Sequence, residues 1–390
     1  MNNINQILNN LIKIAQVNNY SGYDPYDGLY LNSVPGNLLK KNKFGRLFLI
    51  HLNKRFIFNL RPLFGINKNI NPKAIALYLA GLVKLNRLNE TNHLLKILTE
   101  VKNKKYPYQS WGYYFDWQSR QFYHTGGTSS IVVTSFVDNA LLDLYEQNKD
   151  PALLETVKDS FQFFYNNLNI YEDDSGLCFS YSPLDESVIY NASALGLEVI
   201  SRFEYLSGGK DAVNQRTLEH GVNFIKAAQN ADGSWFYGKR LIQHFIDHYH
   251  TAYILESLEN IKKYTANAFD LEGSIQKGID FYTQNMFTEY SAPTYYKNAV
   301  YPIETHCAAA AIKALCVLSE SYGKDLFELA IKVADWTIKN MYDFKKGYFY
   351  YQKRKYWINK INYLRWTQAW MFNSLAYFDF YREKYGYSFD

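Results

Sequence analysis

Asp232-Gly233-Ser234-Trp235-Phe236-Tyr237 reads as a tight turn that ends one helix and opens a short aromatic, strand-like run before the next. Aspartate bonds the backbone two residues on and glycine accepts a positive φ, so the pair punctuates the chain. The pattern recurs at Ser110-Trp111-Gly112-Tyr113-Tyr114-Phe115, Ser175-Gly176-Leu177-Cys178-Phe179-Ser180-Tyr181, Ser291-Ala292-Pro293-Thr294-Tyr295-Tyr296 and Lys346-Gly347-Tyr348-Phe349-Tyr350-Tyr351. Gly112, Gly176, Gly233 and Gly347 lie 64, 57 and 114 residues apart, the last interval holding two units around Ser291. The period is about 60 residues, long enough for two helices and a hairpin. Tyr23-Asp24-Pro25-Tyr26-Asp27-Gly28-Leu29-Tyr30 is an earlier, degenerate copy and brings the units to six.

Two kinds of helical pattern flank the runs. Stretches 129–147, 190–205, 248–264, 304–321 and 364–383 follow them and are small and apolar on most faces, as in Thr305-His306-Cys307-Ala308-Ala309-Ala310-Ala311-Ile312. A helix that is apolar all round is buried. Stretches 151–168, 211–229, 271–284 and 326–340 precede the runs and carry Lys, Glu and Gln along one side, the mark of an outer amphipathic helix. Stretches 37–60 and 72–102 supply the N-terminal helices, broken at Pro62 and Pro72. Six alternations of buried and amphipathic helices predict an all-α fold: an (α/α)6 toroid with short aromatic hairpins at one end, built by residues 1–390 as a single domain. In such a ring the inner helices run parallel, and their N-termini gather free N–H groups and partial positive charge at one mouth. The four turn glycines are expected in equivalent turns, several with positive φ.

Composition narrows the function. The 42 Lys and Arg against 37 Asp and Glu give a diffuse net charge of +5, with no basic block beyond pieces such as Lys353-Arg354-Lys355, which argues against a nucleic-acid partner. The start shows no signal pattern and no run of about 18 uncharged apolar residues occurs, so the expectation is a cytoplasmic protein without a transmembrane segment. Cys178, Cys307 and Cys316 show no close pairing motif, as befits reduced thiols. The outlying quantity is aromatic content, 18% of the chain with 36 tyrosines. Tyr and Trp join an apolar face to a polar edge, which suits pockets for sugars or isoprenoids.

Chemistry is then expected at the ends of the runs and in the first turns of the inner helices. Asp247 and Glu304 open successive inner helices, and His250 and His306 follow them closely. A carboxylate there either caps the helix or serves as a general acid or base. Two such carboxylates are the raw material of glycoside hydrolysis, whereas two histidines can remove and return a proton at a sugar carbon, the need of an epimerase. Asp247, His250, Glu304 and His306 form the expected catalytic set. Arg120 and Arg365, near Trp117 and Trp366, suit bidentate contact with an anion. With Asp116, Asn191, Trp235 and Tyr237 they complete the expected substrate-binding set. His244 and His248 are four apart, but a helix beginning near Asp247 makes that spacing non-helical, so neither a metal nor a cofactor is expected.

Gln229-Asn230-Ala231-Asp232-Gly233-Ser234-Trp235 resembles the Gln-x-x-Asp-Gly-Ser-Trp repeat of squalene cyclases and protein prenyltransferases, which marks toroids rather than catalysis. Tyr249-His250-Thr251-Ala252-Tyr253 is similar to the inner-helix stretch that carries a zinc-binding histidine in farnesyltransferase-type subunits. No Asp-x-Cys partner precedes it, and the Asp-x-Asp-Asp motif of the cyclases is absent. Over nearly its full length the chain more closely resembles bacterial proteins of surface-polysaccharide biosynthesis, through Trp111-Gly112-Tyr113-Tyr114-Phe115-Asp116-Trp117-Gln118-Ser119-Arg120 and Tyr301-Pro302-Ile303-Glu304-Thr305-His306. Other toroids of this architecture, six-hairpin glycosidases and N-acylglucosamine 2-epimerases, act on sugars. The expectation is a carbohydrate-active enzyme of surface-polysaccharide metabolism that hydrolyses or epimerises a saccharide, acidic saccharides included. A prenyltransferase- or terpene-cyclase-like enzyme and a non-catalytic glycan-binding protein are the alternatives.

Overall fold

The computed structural model describes residues 4–31, 34–119 and 123–388. Among these, fourteen α-helices follow one another as α1 (Ile4–Val17), α2 (Val34–Leu39), α3 (Lys43–Arg55), α4 (Pro72–Lys84), α5 (Thr91–Glu100), α6 (Ile131–Asn148) and α7 (Pro151–Asn167). The second half gives α8 (Tyr190–Ser207), α9 (Ala212–Ala227), α10 (His248–Tyr264), α11 (Glu272–Asn285), α12 (Thr305–Tyr322), α13 (Lys324–Met341) and α14 (Ala369–Lys384). Helices α4, α6, α8, α10, α12 and α14 pack each on the next, and α14 returns to α4, closing an inner ring. Around it α5, α7, α9, α11 and α13 lie on the inner helix that precedes each, while α1 lies on α14. This is the (α/α)6 toroid that the repeat predicts.

Local chemistry sets the helix starts. Asn71, Ser130, Asp150, Asp211 and Asp247 each accept a hydrogen bond from a backbone N–H in the first turn of the helix they precede, each cap contributing about 1 kcal/mol. The inner helices earn their place by being small or apolar all round: in α12, residues from Thr305 through Ile312 are all buried. One continuous apolar cluster runs from Ile4 to Tyr381, and a smaller one, Leu29, Leu31, Leu49, Ile50 and Ile66, sits under α3. Cys178, Cys307 and Cys316 are free thiols within the buried interior.

Short antiparallel pieces join several of the outer helices to the next inner one. Gly112–Tyr113 pairs with Thr128–Ser129, Trp117–Gln118 with Tyr123–His124, Ile170–Asp173 with Gly176–Phe179, and Tyr342–Asp343 with Tyr348–Phe349. Ile303–Glu304, Gln352–Lys353 and Ile358–Asn359 form a three-stranded piece linking the last two units. Gly233 takes the left-handed turn conformation at φ 88°, as do Gly176 and Gly347 with positive φ. Gly112 differs: it lies in a paired strand, where a Cβ would fall 1.8 Å from the Thr128 carbonyl oxygen, so close approach rather than φ requires glycine there.

The structure corrects the reading near the N-terminus. Residues 4–17 form an outer helix whose apolar positions Ile4, Ile7, Leu8, Leu11, Ile12 and Ala15 face the core at helical spacing. Stretch 72–102 divides into inner α4 and outer α5, because Asn86 adopts the left-handed region (φ 56°) that asparagine tolerates and reverses the chain. Helices α2 and α3 are an insertion over the mouth, with α3 resting on the single turn Asp27–Leu29 and on Trp117–Gln118. Leu364–Gln368 is a π-helical turn leading into α14. Among the described residues no helix is long and apolar enough to cross a membrane.

Candidate active site

The N-terminal turns of the inner helices and the runs before them enclose two connected spaces. An outer cavity of about 410 Å³ and a deep pocket of about 110 Å³ share a wall of Tyr26, Trp117, Tyr237, Tyr249 and His250. Every inner helix contributes to the deep pocket from its start: Lys73 on α4, Val132 on α6, Asn191 on α8, His250 and Tyr253 on α10, His306 on α12, and Trp366 just before α14. The inner helices therefore run parallel, with their free N–H ends at this mouth.

Asp247 performs two tasks with its two oxygens. One accepts from the His250 backbone N–H at 3.0 Å, capping α10, and the other lies 2.7 Å from His250 Nδ1. A carboxylate only accepts, so Nδ1 carries the hydrogen of this bond and the ring is held in one orientation. The imidazole packs against Tyr237 and Tyr249, with ring centroids 4.5 and 4.3 Å away.

His306 lies on the other side of Tyr249, whose ring centroid is 4.4 Å from it. Its Nε2 is hydrogen-bonded to the Tyr253 hydroxyl, and its Nδ1 has no partner among the described residues. Trp366 and Trp370 border it at 4.7 and 4.6 Å between centroids. Burial, reinforced by the nearby positive charge of Lys73 and Lys54, holds the His306 imidazole well below the ordinary histidine range, so it is neutral at physiological pH. Two imidazoles, one oriented by a carboxylate and one kept neutral, thus border one aromatic pocket. Asn191 adds an amide oxygen with no partner among the described residues.

Glu304 stands behind the wall. Fully buried, it accepts from the Tyr351 hydroxyl at 3.1 Å, the Gln352 side-chain amide at 3.2 Å and Trp366 Nε1 at 3.4 Å, with Lys54 Nζ 3.9 Å away. It borders neither cavity, although its partners Lys54 and Gln352 line the outer one. Trp117, Asn191, Tyr237 and Trp366 do face the site. Three other expected contacts do not. Trp235 is core: its indole N–H donates to the Ile225 carbonyl at 2.9 Å and its ring presses on Gly278. Arg365 is buried with its guanidinium 2.7 Å from Asp27 Oδ2, and the same carboxylate binds Arg61. Asp116 accepts from the Tyr123 hydroxyl and the Gly126 N–H within its own hairpin. Arg120 lies outside the described residues.

The remaining histidines of the cluster have structural surroundings. His244 stacks on Phe236 at 4.3 Å and bonds the Lys239 carbonyl, while His248 is buried with Nε2 2.7 Å from the Tyr282 hydroxyl. Among the described residues no group of three or more His, Cys, Asp or Glu is placed to hold a metal.

Sequence reasoning missed the cations. Lys73, in the first turn of α4, reaches the deep pocket, and Lys54, Arg55 and Arg354 line the outer one. Lys54 Nζ donates to the Tyr26 hydroxyl at 2.6 Å, and Arg354 Nε donates to Gln352 Oε1 at 3.0 Å. Burial together with the like charge of Arg55 depresses the Arg354 guanidinium below its usual range. Among the residues lining the outer cavity the only carboxylate is Asp247. One signal was available for Lys73: a cation in the first turn of an apolar helix opposes the dipole and wants a reason.

No protein-family model matches the chain, and no curated protein matches it. Solved structures do. Cellobiose 2-epimerase from Bacillus thermoamylovorans is 11% identical, with a TM-score of 0.60 over 78% of this chain and 87% of its own. A sugar epimerase from a ruminal bacterium is 11% identical, with a TM-score of 0.62 over 83% and 91%. The GH76 α-mannanase of Bacteroides thetaiotaomicron is 10% identical, with a TM-score of 0.62 over 81% and 87%. At such identities the likeness is one of fold.

Proposed function

We propose that this protein is a carbohydrate-active enzyme that moves a proton at a sugar carbon, an epimerase or isomerase of saccharides carrying an anionic group. The observation that carries the reading is the pair of imidazoles on one pocket: His250, with Nδ1 fixed by Asp247, and His306, held neutral beside it. His250 takes the proton from the carbon next to the carbonyl of an opened sugar, and His306 with the Tyr253 hydroxyl serves the opposite transfer. Aromatic walls suit the apolar faces of a sugar ring, and Asn191 offers an acceptor to a hydroxyl. The epimerase likenesses support this reading, and the resemblance to surface-polysaccharide proteins suggests a cytoplasmic, glycan-building setting.

Lys54, Arg55 and Arg354 around the outer cavity favour a carboxylate or phosphate on the substrate. They take the place that Arg120 and Arg365 hold in the sequence reading. Hydrolysis is the second reading, favoured by Asp247 on the outer cavity and the likeness to the mannanase. It needs a second carboxylate facing the substrate, and Glu304 does not face it. The test is incubation in D2O with mannose, cellobiose, glucuronate and mannuronate, followed by NMR. Deuterium entering the carbon next to the carbonyl supports the proposal. New reducing ends without exchange would establish hydrolysis, and binding without either would establish a glycan-binding protein.

A further inference from the structure

Lys73 has surroundings that structural lysines lack. Its side chain is 4% exposed, and its ammonium sits over the rings of Trp366, Phe136, Tyr113 and Trp370 at 4.5, 5.5, 5.6 and 5.6 Å from their centroids. Among the described residues its ammonium makes no hydrogen bond or ion pair, while its backbone N–H donates to the Asn71 cap. The nearby carboxylate, Asp24, spends its oxygens on the Tyr26 N–H and the Asn71 amide. The space left to the amine is the deep pocket, which it shares with His306, His250 and the Tyr253 and Tyr181 hydroxyls. Lys73 and His306 lie against the same two indoles, Trp366 and Trp370.

We propose that Lys73 is a carbonyl-condensing amine that joins the substrate aldehyde as an imine. This rests on the sugar reading given above and adds a covalent step to it. The Nζ lone pair attacks the aldehyde carbon of the opened sugar, and the carbonyl oxygen takes a proton. A solvent proton taken up by the carbinolamine hydroxyl lets it leave as water, and a protonated C=N bond remains. That bond withdraws electrons from the neighbouring carbon, His250 Nε2 removes its proton, and reprotonation followed by addition of water releases the sugar and the free amine. The solvent proton taken up on dehydration is returned on hydrolysis, so atoms and protons balance over the cycle. Burial lowers the Lys73 amine to about 8, opposed in part by Asp24, so a useful fraction is neutral and nucleophilic near pH 7.5.

Reductive trapping tests it on the intact protein. With glycolaldehyde or glucuronate and cyanoborohydride at pH 7, peptide mapping should place the adduct on Lys73, formed on the order of a hundredfold faster than on surface lysines of ordinary basicity. Adducts spread over surface lysines with Lys73 unmodified would overturn the proposal. A second measurement uses Lys73→Arg, which keeps the charge and cannot condense: its deuterium exchange into sugar should fall at least a hundredfold. Full exchange in Lys73→Arg overturns the amine and leaves the sugar reading standing. Capture of glycolaldehyde by Lys73 in a protein that exchanges no sugar proton upholds the amine and removes the sugar reading.

Discussion

The two ends of the inner ring are built from the same six helices and treat charge in opposite ways. At the far end, around a cavity of about 160 Å³, charged side chains neutralise one another. Arg202 lies 2.7 Å from Asp143 and 3.2 Å from Glu146, Lys313 lies 2.6 Å from Glu256, and Ser257 and Asn260 both donate to Glu198 at 2.8 Å. At the mouth, His306 Nδ1, the Asn191 amide oxygen and the Lys73 ammonium have no such partner among the described residues. At one end most of the charged groups pair with one another and hold the ring together, while at the other these three groups border a pocket. Buried capacity left unmet costs stability, and His306 and Asn191 leave theirs on one aromatic pocket, where a ligand can meet it.

The largest test of this contrast is at the mouth. His250→Ala and His306→Asn should each lower proton exchange about a thousandfold with little change in the denaturation midpoint. Retained exchange would move the chemistry elsewhere. Next comes Arg202→Met, which strips Asp143 and Glu146 of their cation and should cost about 3 kcal/mol in chemical denaturation while leaving exchange within a few-fold of the parent. A comparable loss of exchange would erase the distinction between the ends. A smaller effect is expected from Arg55→Ala combined with Arg354→Ala. Affinity for glucuronate, measured by calorimetry, should weaken about tenfold more than affinity for glucose, and equal losses would remove charge recognition.

A further pair of effects lies in the pH dependence of stability. Burial holds His248 down to about 3 from 6.5. The folded imidazole stays neutral while the unfolded one takes up a proton, so stability is lost as pH falls from about 6.5 towards 3. His248→Gln should flatten that acid limb. For Lys73 the unfolded amine keeps its proton up to 10.5 and the folded one releases it near 8, so stability rises with pH across that window. Lys73→Met should remove the rise, as followed by urea midpoints from pH 7 to 10.

The architecture was legible because a short run repeats where the helix type changes, as at Gly233 and Gly347. The placement of Asp247, His250 and His306 at the mouth was legible because they open inner helices, and position in the repeat fixes depth in the ring. Asp247 also shows why the two readings of such a residue need not compete: one oxygen caps the helix and the other orients the histidine. Arg365 was misread because its partner, Asp27, is 338 residues away, and no local pattern announces such a pair. Trp235 belongs to the repeat, and repeated residues tend to serve the scaffold. Lys54, Arg55 and Lys73 come from the N-terminal insertion and the first inner helix, where the degenerate copy hides the register.

The closure of α14 onto α4 has a consequence for the order of assembly. The Tyr78 hydroxyl donates to the Leu364 carbonyl across 286 residues, and Asn373 reaches the Leu77 carbonyl across 296. Gly81 allows the two helices to meet, since a Cβ there would fall 2.7 Å from the Phe372 ring. Contacts of such sequence separation form late in folding, after the local hairpins. Lys73 is contributed by one side of this seam, and Trp366 and Trp370 by the other. The unit made after the other five therefore supplies the rings that dry out an amine made with the first. Until that unit docks, Lys73 is hydrated and keeps the ordinary basicity that burial lowers in the closed ring.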